Sequence, residues 1–217
     1  MNKSIFNTNK WSIKKTKLAI LVPTRDMIHA ATAMSLANLI KFNTLRGIDS
    51  FLFFDASTVL LTQRERLALE AQSLGAEYML WIDSDMVVPD TTAVRLMSHN
   101  EPVVAANYVK RQPPYKGVAY EIIGDWQNPL AYEPQDSLVP VEGIGMGCML
   151  MKTEILAKLP RPWFEFGWTK DSNDWLGEDM IFCQKMSDAG FVVKVDTQLS
   201  METHHMGTYA FNANILK

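Results

Sequence analysis

Along the first half of the chain, apolar residues fall into short unbroken runs, separated by longer stretches where they recur every three or four positions. Leu18–Val22 (LAILV) stops at Pro23, and Phe51–Phe54 (FLFF) stops at Asp55. Tyr78–Ile82 (YMLWI) runs into Asp83-Ser84-Asp85, and Val103–Tyr108 follows later. Brief apolar runs bounded by turn residues read as buried strands. The intervening stretches read as helices: about Met27 to Phe42, closed by the turn around Gly47; Thr62 to Leu74, ending at Gly75; and Asp90 to Ser98. Strands that are apolar throughout and alternate with helices predict a parallel sheet covered on both faces. The expected class is α/β, with a Rossmann-like, nucleotide-binding half over about residues 18–110.

After residue 110 the pattern changes. Residues 111–142 are rich in Pro, Gly and aromatics, with strand-like pieces such as Val118–Ile123. Cys148–Lys152 predicts another buried strand, and Thr153–Leu159 a short helix. Beyond a loop at 160–177, a helix is expected from Gly177-Glu178-Asp179 to about Ala189, then a strand at Val192–Val195 and a polar tail holding His204-His205. No repeat, low-complexity tract or long linker interrupts the chain, so residues 1–217 are expected to form one domain, the second half being a smaller mixed, acceptor-side region.

Composition narrows the classes. A hydrophobic fraction of 47% with 21% charged residues is that of an ordinary globular chain. A net charge of −3 gives no global attraction to nucleic acid or acidic membranes. Lys10, Lys14, Lys15 and Lys17 form a local basic cluster that reads as a solvated arm. The two cysteines, Cys148 and Cys183, sit among apolar residues and are expected to be buried free thiols, which suits a reducing cytoplasm. No stretch approaches the roughly 20 apolar residues of a membrane span, and the first residues lack the apolar centre of a signal peptide.

In an open α/β sheet, ligands bind beyond the carboxyl ends of the strands. Three strands end there in polar groups: Pro23-Thr24-Arg25, Asp55, and Asp83-Ser84-Asp85. In extended backbone, alternate side chains share a side, so Asp83 and Asp85 are expected to face one place. Two close carboxylates repel, and a hard divalent cation, Mg²⁺ or Mn²⁺, relieves the repulsion and can grip a diphosphate. The plainer alternative is a turn after a strand. Arg64 lies on the stripe of Leu67, Ala71 and Leu74, so it points along the packed face and is expected to reach a phosphate. Arg66 reads as a surface residue paired with Glu70. Gly143-Ile-Gly-Met-Gly147 is either a close-approach segment for a sugar or phosphate, with Gly145, Met146 and Gly147 at its centre, or a tight turn. Glu178 and Asp179 begin a helix, where acidic residues are favoured in any case, and either is placed to act as a general base. His204 and His205 offer a nitrogen ligand for the same metal.

Taken together, LAILVPTRD, YMLWIDSDMVVPD, GMGCMLMKTEIL, WLGEDMIFCQKMSDAGFVVKVD and METHHMG resemble the GT-A glycosyltransferases, most closely family 2-like bacterial and bacteriophage members. The resemblance spans about Leu18 to Gly207. It implies a DxD metal motif at Asp83 and Asp85, donor contacts from Pro23, Thr24, Arg25 and Ser84, a nucleobase contact at Asp55, and a donor-sugar pocket at Gly145, Met146 and Gly147. It further implies Asp179 as the base ahead of Glu178, His205 as a metal ligand ahead of His204, and UDP-sugar as the donor. The expected activity is hexosyl or pentosyl transfer, assisted by Mn²⁺ or Mg²⁺. The acceptor stays open: a glycan, another hydroxyl-bearing molecule, or a modified base in phage DNA held by Lys110, Arg111 and Lys116 with Tyr108, Tyr115 and Trp126 nearby. The alternatives are a sugar nucleotidyltransferase, disfavoured because Pro23–Ile28 has no glycine, and a catalytically silent nucleotide-sugar or glycan-binding protein.

Overall fold

The computed structural model describes residues 15–111, 115–123, 126–130, 138–169 and 173–207. Of the basic N-terminal cluster, Lys10 and Lys14 lie outside these.

The apolar runs form the strands they predict. β1 (Thr16–Thr24) pairs in parallel with β2 (Ile48–Ala56) on one side and with β3 (Tyr78–Ile82) on the other. Within these runs alternate residues go to opposite faces, as strand geometry requires. Ala19, Leu21, Met79 and Trp81 enter one apolar layer, and Leu18, Ile20, Val22, Leu80 and Ile82 enter the other. Each fully buried Leu, Ile or Met contributes roughly 1.5–3 kcal/mol relative to exposure. A strand buried on both faces therefore fixes its register strongly, because a one-residue slip would exchange the two sets.

The helices cover the two faces. On one side lie α2 (Leu60–Leu74), through Leu67, Ala68 and Ala71, and α4 (Glu178–Asp188), through Met180, Phe182, Cys183 and Met186. On the other lie α1 (Ala30–Leu45), α3 (Thr92–Ser98) and the short α5 (Thr197–Ser200), which contribute Leu36, Leu39, Ala93, Leu96 and Leu199. α1 starts at Ala30 rather than near Met27. The Thr24 hydroxyl donates to the Met27 carbonyl (2.6 Å), and the His29 ring nitrogen accepts from the Ala31 amide as the helix cap. α2 ends where Gly75 turns into the left-handed region at φ 67°. Thr153–Lys158 is a 3₁₀ turn. Among the described residues no helix is long and apolar enough to cross a membrane.

The parallel sheet expected from the first half is built differently. β5 (Val103–Ala105) does not pair with β3, because β10 (Cys148–Lys152) runs antiparallel between them, in the register Cys148 to Ile82 and Met149 to Ala105. Beyond β5 come β13 (Val193–Val195), parallel, and β8 (Val139–Val141), antiparallel. The sheet order is β2-β1-β3-β10-β5-β13-β8, so five strands run one way and two the other. Smaller pieces complete the topology. β4 (Met86–Val87) pairs with β14 (His204–His205). β6 (Ala119–Ile123), β7 (Trp126–Pro129) and β9 (Gly143–Ile144) form a three-stranded sheet. β11 (Gly167–Thr169) and β12 (Asp174–Leu176) form a two-stranded antiparallel pair.

Candidate active site

The carboxyl ends of β1, β2, β3 and β5 open on one edge of the sheet, and the start of β10 joins them because Cys148 pairs with Ile82. Asp83-Ser84-Asp85 leaves β3 at this edge. Its backbone is held from three sides: the Asp83 amide donates to the Gly147 carbonyl (3.1 Å), the His29 amide to the Ser84 carbonyl (3.0 Å), and the Met206 amide to the Asp85 carbonyl (2.8 Å). The Met86 amide returns to the Asp83 carbonyl (3.0 Å), closing a turn. The turn replaces the extended backbone expected from the sequence; both carboxylates still line the cleft at this edge, but they take different partners.

Asp83 turns inward. Its Oδ1 accepts from the Arg64 guanidinium at 3.2 Å, and the same guanidinium donates through Nε to Glu178 Oε1, also at 3.2 Å. Arg64 is 2% exposed and lies over the Trp81 ring, 5.6 Å from its centroid. Burial works against its charge, but Asp83, Glu178 and Asp179 outweigh burial and raise its pKa above the ordinary value. Its Nη1 is buried without a hydrogen-bond partner among the described residues. Burial raises the Asp83 carboxyl above the usual range; Arg64 opposes this, while Asp85 and Glu178 add repulsion. Asp179, at the first turn of α4, is pushed up to about 6, chiefly by burial and then by Glu178. Its Oδ1 accepts from the Met180 amide at 2.8 Å.

Asp85 turns the other way. Its Oδ2 lies 2.8 Å from the Arg111 guanidinium and 3.4 Å from His205 Nε2. Burial would raise its carboxyl, but His205 and then Arg111 outweigh burial, and it sits below the ordinary value. His205 is raised, first by its bond to Asp85 and against the effect of burial. The ring is oriented by the Val109 carbonyl, 3.0 Å from Nδ1, and by an edge contact with Tyr108. The β4–β14 pairing places it there, setting His205 opposite Met86. Arg111 also donates to the Met206 carbonyl at 3.0 Å.

A cleft of about 280 Å³ lies between these groups and β1, lined by Pro23, Thr24, Arg25, Ser57, Gln63, Asp83, Ser84 and Asp85 among others. Arg25 stands exposed at its edge. Gln63, which sequence reasoning passed over, ties the loops together. Its amide donates to the carbonyls of Asp55 and Ser57, at 2.9 Å each, and to that of Thr24. Asp55 does not line this cleft. It lies in a neighbouring hollow with Phe54 and Arg66, 3.6 Å from the Arg66 guanidinium, with its buried Oδ1 lacking a hydrogen-bond partner among the described residues. Arg66 thus meets Asp55, where Glu70 was the expected partner.

The glycine stretch has a local reason. A Cβ on Gly145 or Gly147 would come within 2.4 or 2.7 Å of the Tyr108 ring atoms, and the Gly147 amide donates to the Tyr108 hydroxyl at 3.2 Å. Met146 between them is buried in the core. Tyr108 thus packs against the glycine stretch on one side and the His205 ring on the other. Burial, then Asp83 and Asp179, raise its phenol well above the ordinary value. Of that edge, Lys110 lies over the Tyr120 ring, Arg111 is bound to Asp85, and Tyr115 is exposed; the Trp126 side chain lies outside what the structure describes. His204 is exposed on β14 and His99 pairs with Asp196 (2.9 Å). Cys148 and Cys183 are buried free thiols, pushed up to about 12 by burial.

Of the three expected metal ligands, the structure brings Asp85 and His205 together, while Asp83 is taken by Arg64. Among the described residues, no three His, Cys, Asp or Glu side chains converge as a ready ligand set. The position beside Asp85 nevertheless suits a cation, since the Arg111 guanidinium already sits there and the donors are a carboxylate and an imidazole.

The sequence matches no family model and no curated protein. Solved structures do resemble the fold. Protein A197 from STIV superposes with a TM-score of 0.56 at 19% identity, over 89% of this chain and 86% of that one. A mutant Drosophila β1,4-galactosyltransferase 7, in complex with manganese, UDP-Gal and xylobiose, superposes with a TM-score of 0.52 at 14% identity, over 93% of this chain and 79% of that one. The mixed sheet and its flanking helices are those of the GT-A glycosyltransferase fold, as the sequence motifs implied.

Proposed function

We propose that this chain is a glycosyltransferase that moves a sugar from a nucleotide-sugar donor to an acceptor hydroxyl. The observation that carries the reading is that Asp83 and Asp85 line one cleft at the sheet edge and Arg64 ties Asp83 to Glu178, next to Asp179, whose carboxyl is pushed up to about 6. A base with a pKa close to the working pH combines a populated carboxylate with useful proton affinity. The manganese and UDP-Gal bound to the galactosyltransferase neighbour support a uridine diphosphate donor and a divalent metal.

The donor diphosphate would lie in the cleft between Thr24 and Asp85, with Arg25 as the accessible cation. Arg64, the cation expected from the sequence, bridges Asp83 and Glu178, and its Nη1 has no partner among the described residues. Asp85 and His205 would hold a divalent cation, whose chemistry there is to offset charge on the leaving diphosphate. Asp179 accepts the proton of the acceptor hydroxyl as its oxygen bonds to the anomeric carbon and the bond from that carbon to the diphosphate breaks. Glu178 shares Arg64 with Asp83, so its role is to fix the first turn of α4 and with it Asp179.

The test is hydrolysis of a panel of nucleotide sugars without acceptor, with Mn²⁺ and with chelator, on wild type and Asp85→Ala. Slow release of nucleoside diphosphate from one donor, lost with chelator and in the variant, is the expected result. If no nucleotide sugar is hydrolysed and neither Mn²⁺ nor any nucleotide shifts the melting temperature, the proposal fails. A nucleotide-dependent melting shift without turnover on any acceptor would instead mark a silent binding protein.

A further inference from the structure

Two aromatic clusters lie close together in sequence and differ in kind. Trp81, Phe164 and Phe182 are buried, with Phe164 stacked on Phe182 at 4.7 Å and edge-on to Trp81 at 5.5 Å. Trp175 meets Trp168 edge-on at 5.2 Å and Phe166 at 6.4 Å. Yet Phe166, Trp168 and Trp175 are 52%, 52% and 69% exposed. Trp168 and Trp175 sit directly opposite each other on β11 and β12. Three large rings left in water on two short strands stabilise the fold little, and exposed apolar patches of this sort mark contact surfaces.

The hairpin is braced and aimed. The Thr169 hydroxyl donates to the Asp174 carbonyl (2.9 Å), and the Trp175 amide donates to the Asp174 carboxylate (2.8 Å). Gly167 packs so closely on α4 that a Cβ there would lie 2.5 Å from Ile181. β12 then passes through Gly177 directly into the turn that carries Glu178 and Asp179, so Trp175 and Asp179 are four residues apart. Among the described residues, the charged groups nearest the rings in sequence are Glu165, Asp174 and Asp179; Lys170, between the two strands in sequence, lies outside them. The nearby described cations are already committed, Lys185 to Glu165 and to the Pro162 carbonyl, and Arg64 to Asp83 and Glu178.

We infer that this hairpin is the acceptor platform and that the acceptor is an uncharged glycan. The inference rests on the transferase reading above and names its second substrate. A sugar ring has an apolar C–H face that lies flat on an indole, while its edge carries hydroxyls that carboxylates accept from. A polyanion such as single-stranded DNA also stacks on aromatic rings, but it needs cations along its backbone, and here it would meet Asp174 and Asp179.

The experiment titrates wild-type protein, saturated with UDP and Mn²⁺, with neutral oligosaccharides (xylobiose, cellobiose, lactose, chitobiose) and with a short single-stranded DNA, following tryptophan fluorescence. At least one oligosaccharide should quench or shift the emission saturably, and the DNA should not. Trp168→Ala and Trp175→Ala should each weaken that sugar by roughly three- to tenfold, and Trp175→Phe should restore most of the loss. Circular dichroism of the variants checks that these exposed positions leave the fold intact. Donor hydrolysis by wild type with no fluorescence response to any sugar would overturn the platform while leaving the transferase standing. So would sugar binding unchanged in both alanine variants, or binding of the DNA alone. If wild type hydrolyses no donor, the transferase reading has failed, and saturable sugar binding would still place a glycan on the hairpin.

Discussion

The two carboxylates of Asp83-Ser84-Asp85 stand two residues apart and live in opposite worlds. Asp83 faces a buried arginine and two further carboxylates, and its pKa is raised; Asp85 faces an exposed arginine and a histidine, and its pKa is lowered. Their side chains are similarly accessible, at 29% and 27%; burial pushes both carboxyls up, Arg64 does not overcome it at Asp83, and His205 with Arg111 does at Asp85. The inner group is a shared cation with acids packed around it. The outer group is a carboxylate and an imidazole facing the half-exposed Arg111 guanidinium. A motif that reads as two equal ligands has one carboxylate paired with a buried arginine and the other with an accessible arginine and a histidine.

The largest effect that would break this contrast lies at Arg64. Arg64→Met removes the only countercharge the described structure gives Asp83 and Glu178 together, and an uncompensated buried charge costs about 3–5 kcal/mol. At this chain length that is a fall of roughly 10 °C in melting temperature. A loss under a couple of degrees would mean the inner group is not a charged core. The next effect is at Asp179. Asp179→Asn should lower glycosyl transfer by about 10²–10⁴-fold, and the wild-type kcat/KM should rise to a plateau as pH passes about 6. The stability effect has the opposite sense. A carboxyl with a raised folded pKa holds its proton more tightly than in the unfolded chain, so wild type loses stability as pH climbs from about 4 to 6. The Asn variant should melt higher than wild type at pH 7–8 and converge with it near pH 4. The smallest effect is at Arg111, half-exposed against Asp85. Arg111→Ala should change stability by less than about 1 kcal/mol. Mn²⁺ binding, followed by electron paramagnetic resonance, should tighten roughly two- to fivefold because a competing cation is gone. Weaker binding would show that Arg111 braces the outer site and does not compete for it.

What the sequence disclosed was local. LAILV and YMLWI gave their strands because residues buried on both faces leave no polar positions, and the stripe through Arg64, Leu67 and Ala71 placed Arg64 inward. What it withheld depends on pairings across the chain. Nothing near Asp83 says that a turn will give it and Asp85 different partners, since Asp-Ser-Asp suits either conformation. His205 reaches Asp85 only through a two-residue strand pair between segments more than a hundred residues apart. Gly145 and Gly147 looked like room for a ligand, and Tyr108 occupies that room. Gln63 carries no sequence signal, because its value lies in three carbonyls supplied by two other loops.

The strand order also bears on how the protein is made. β3 emerges from the ribosome with one neighbour, β1, already present, but its other neighbour, β10, is encoded some seventy residues later. β5 waits for the same segment. Until residues 148–152 arrive, both strands carry open edges, the kind that recruit strands from other chains. The first half, for all its resemblance to a self-contained nucleotide-binding unit, cannot close during translation, and fragments that stop short of β10 should need chaperoning or go into inclusion bodies.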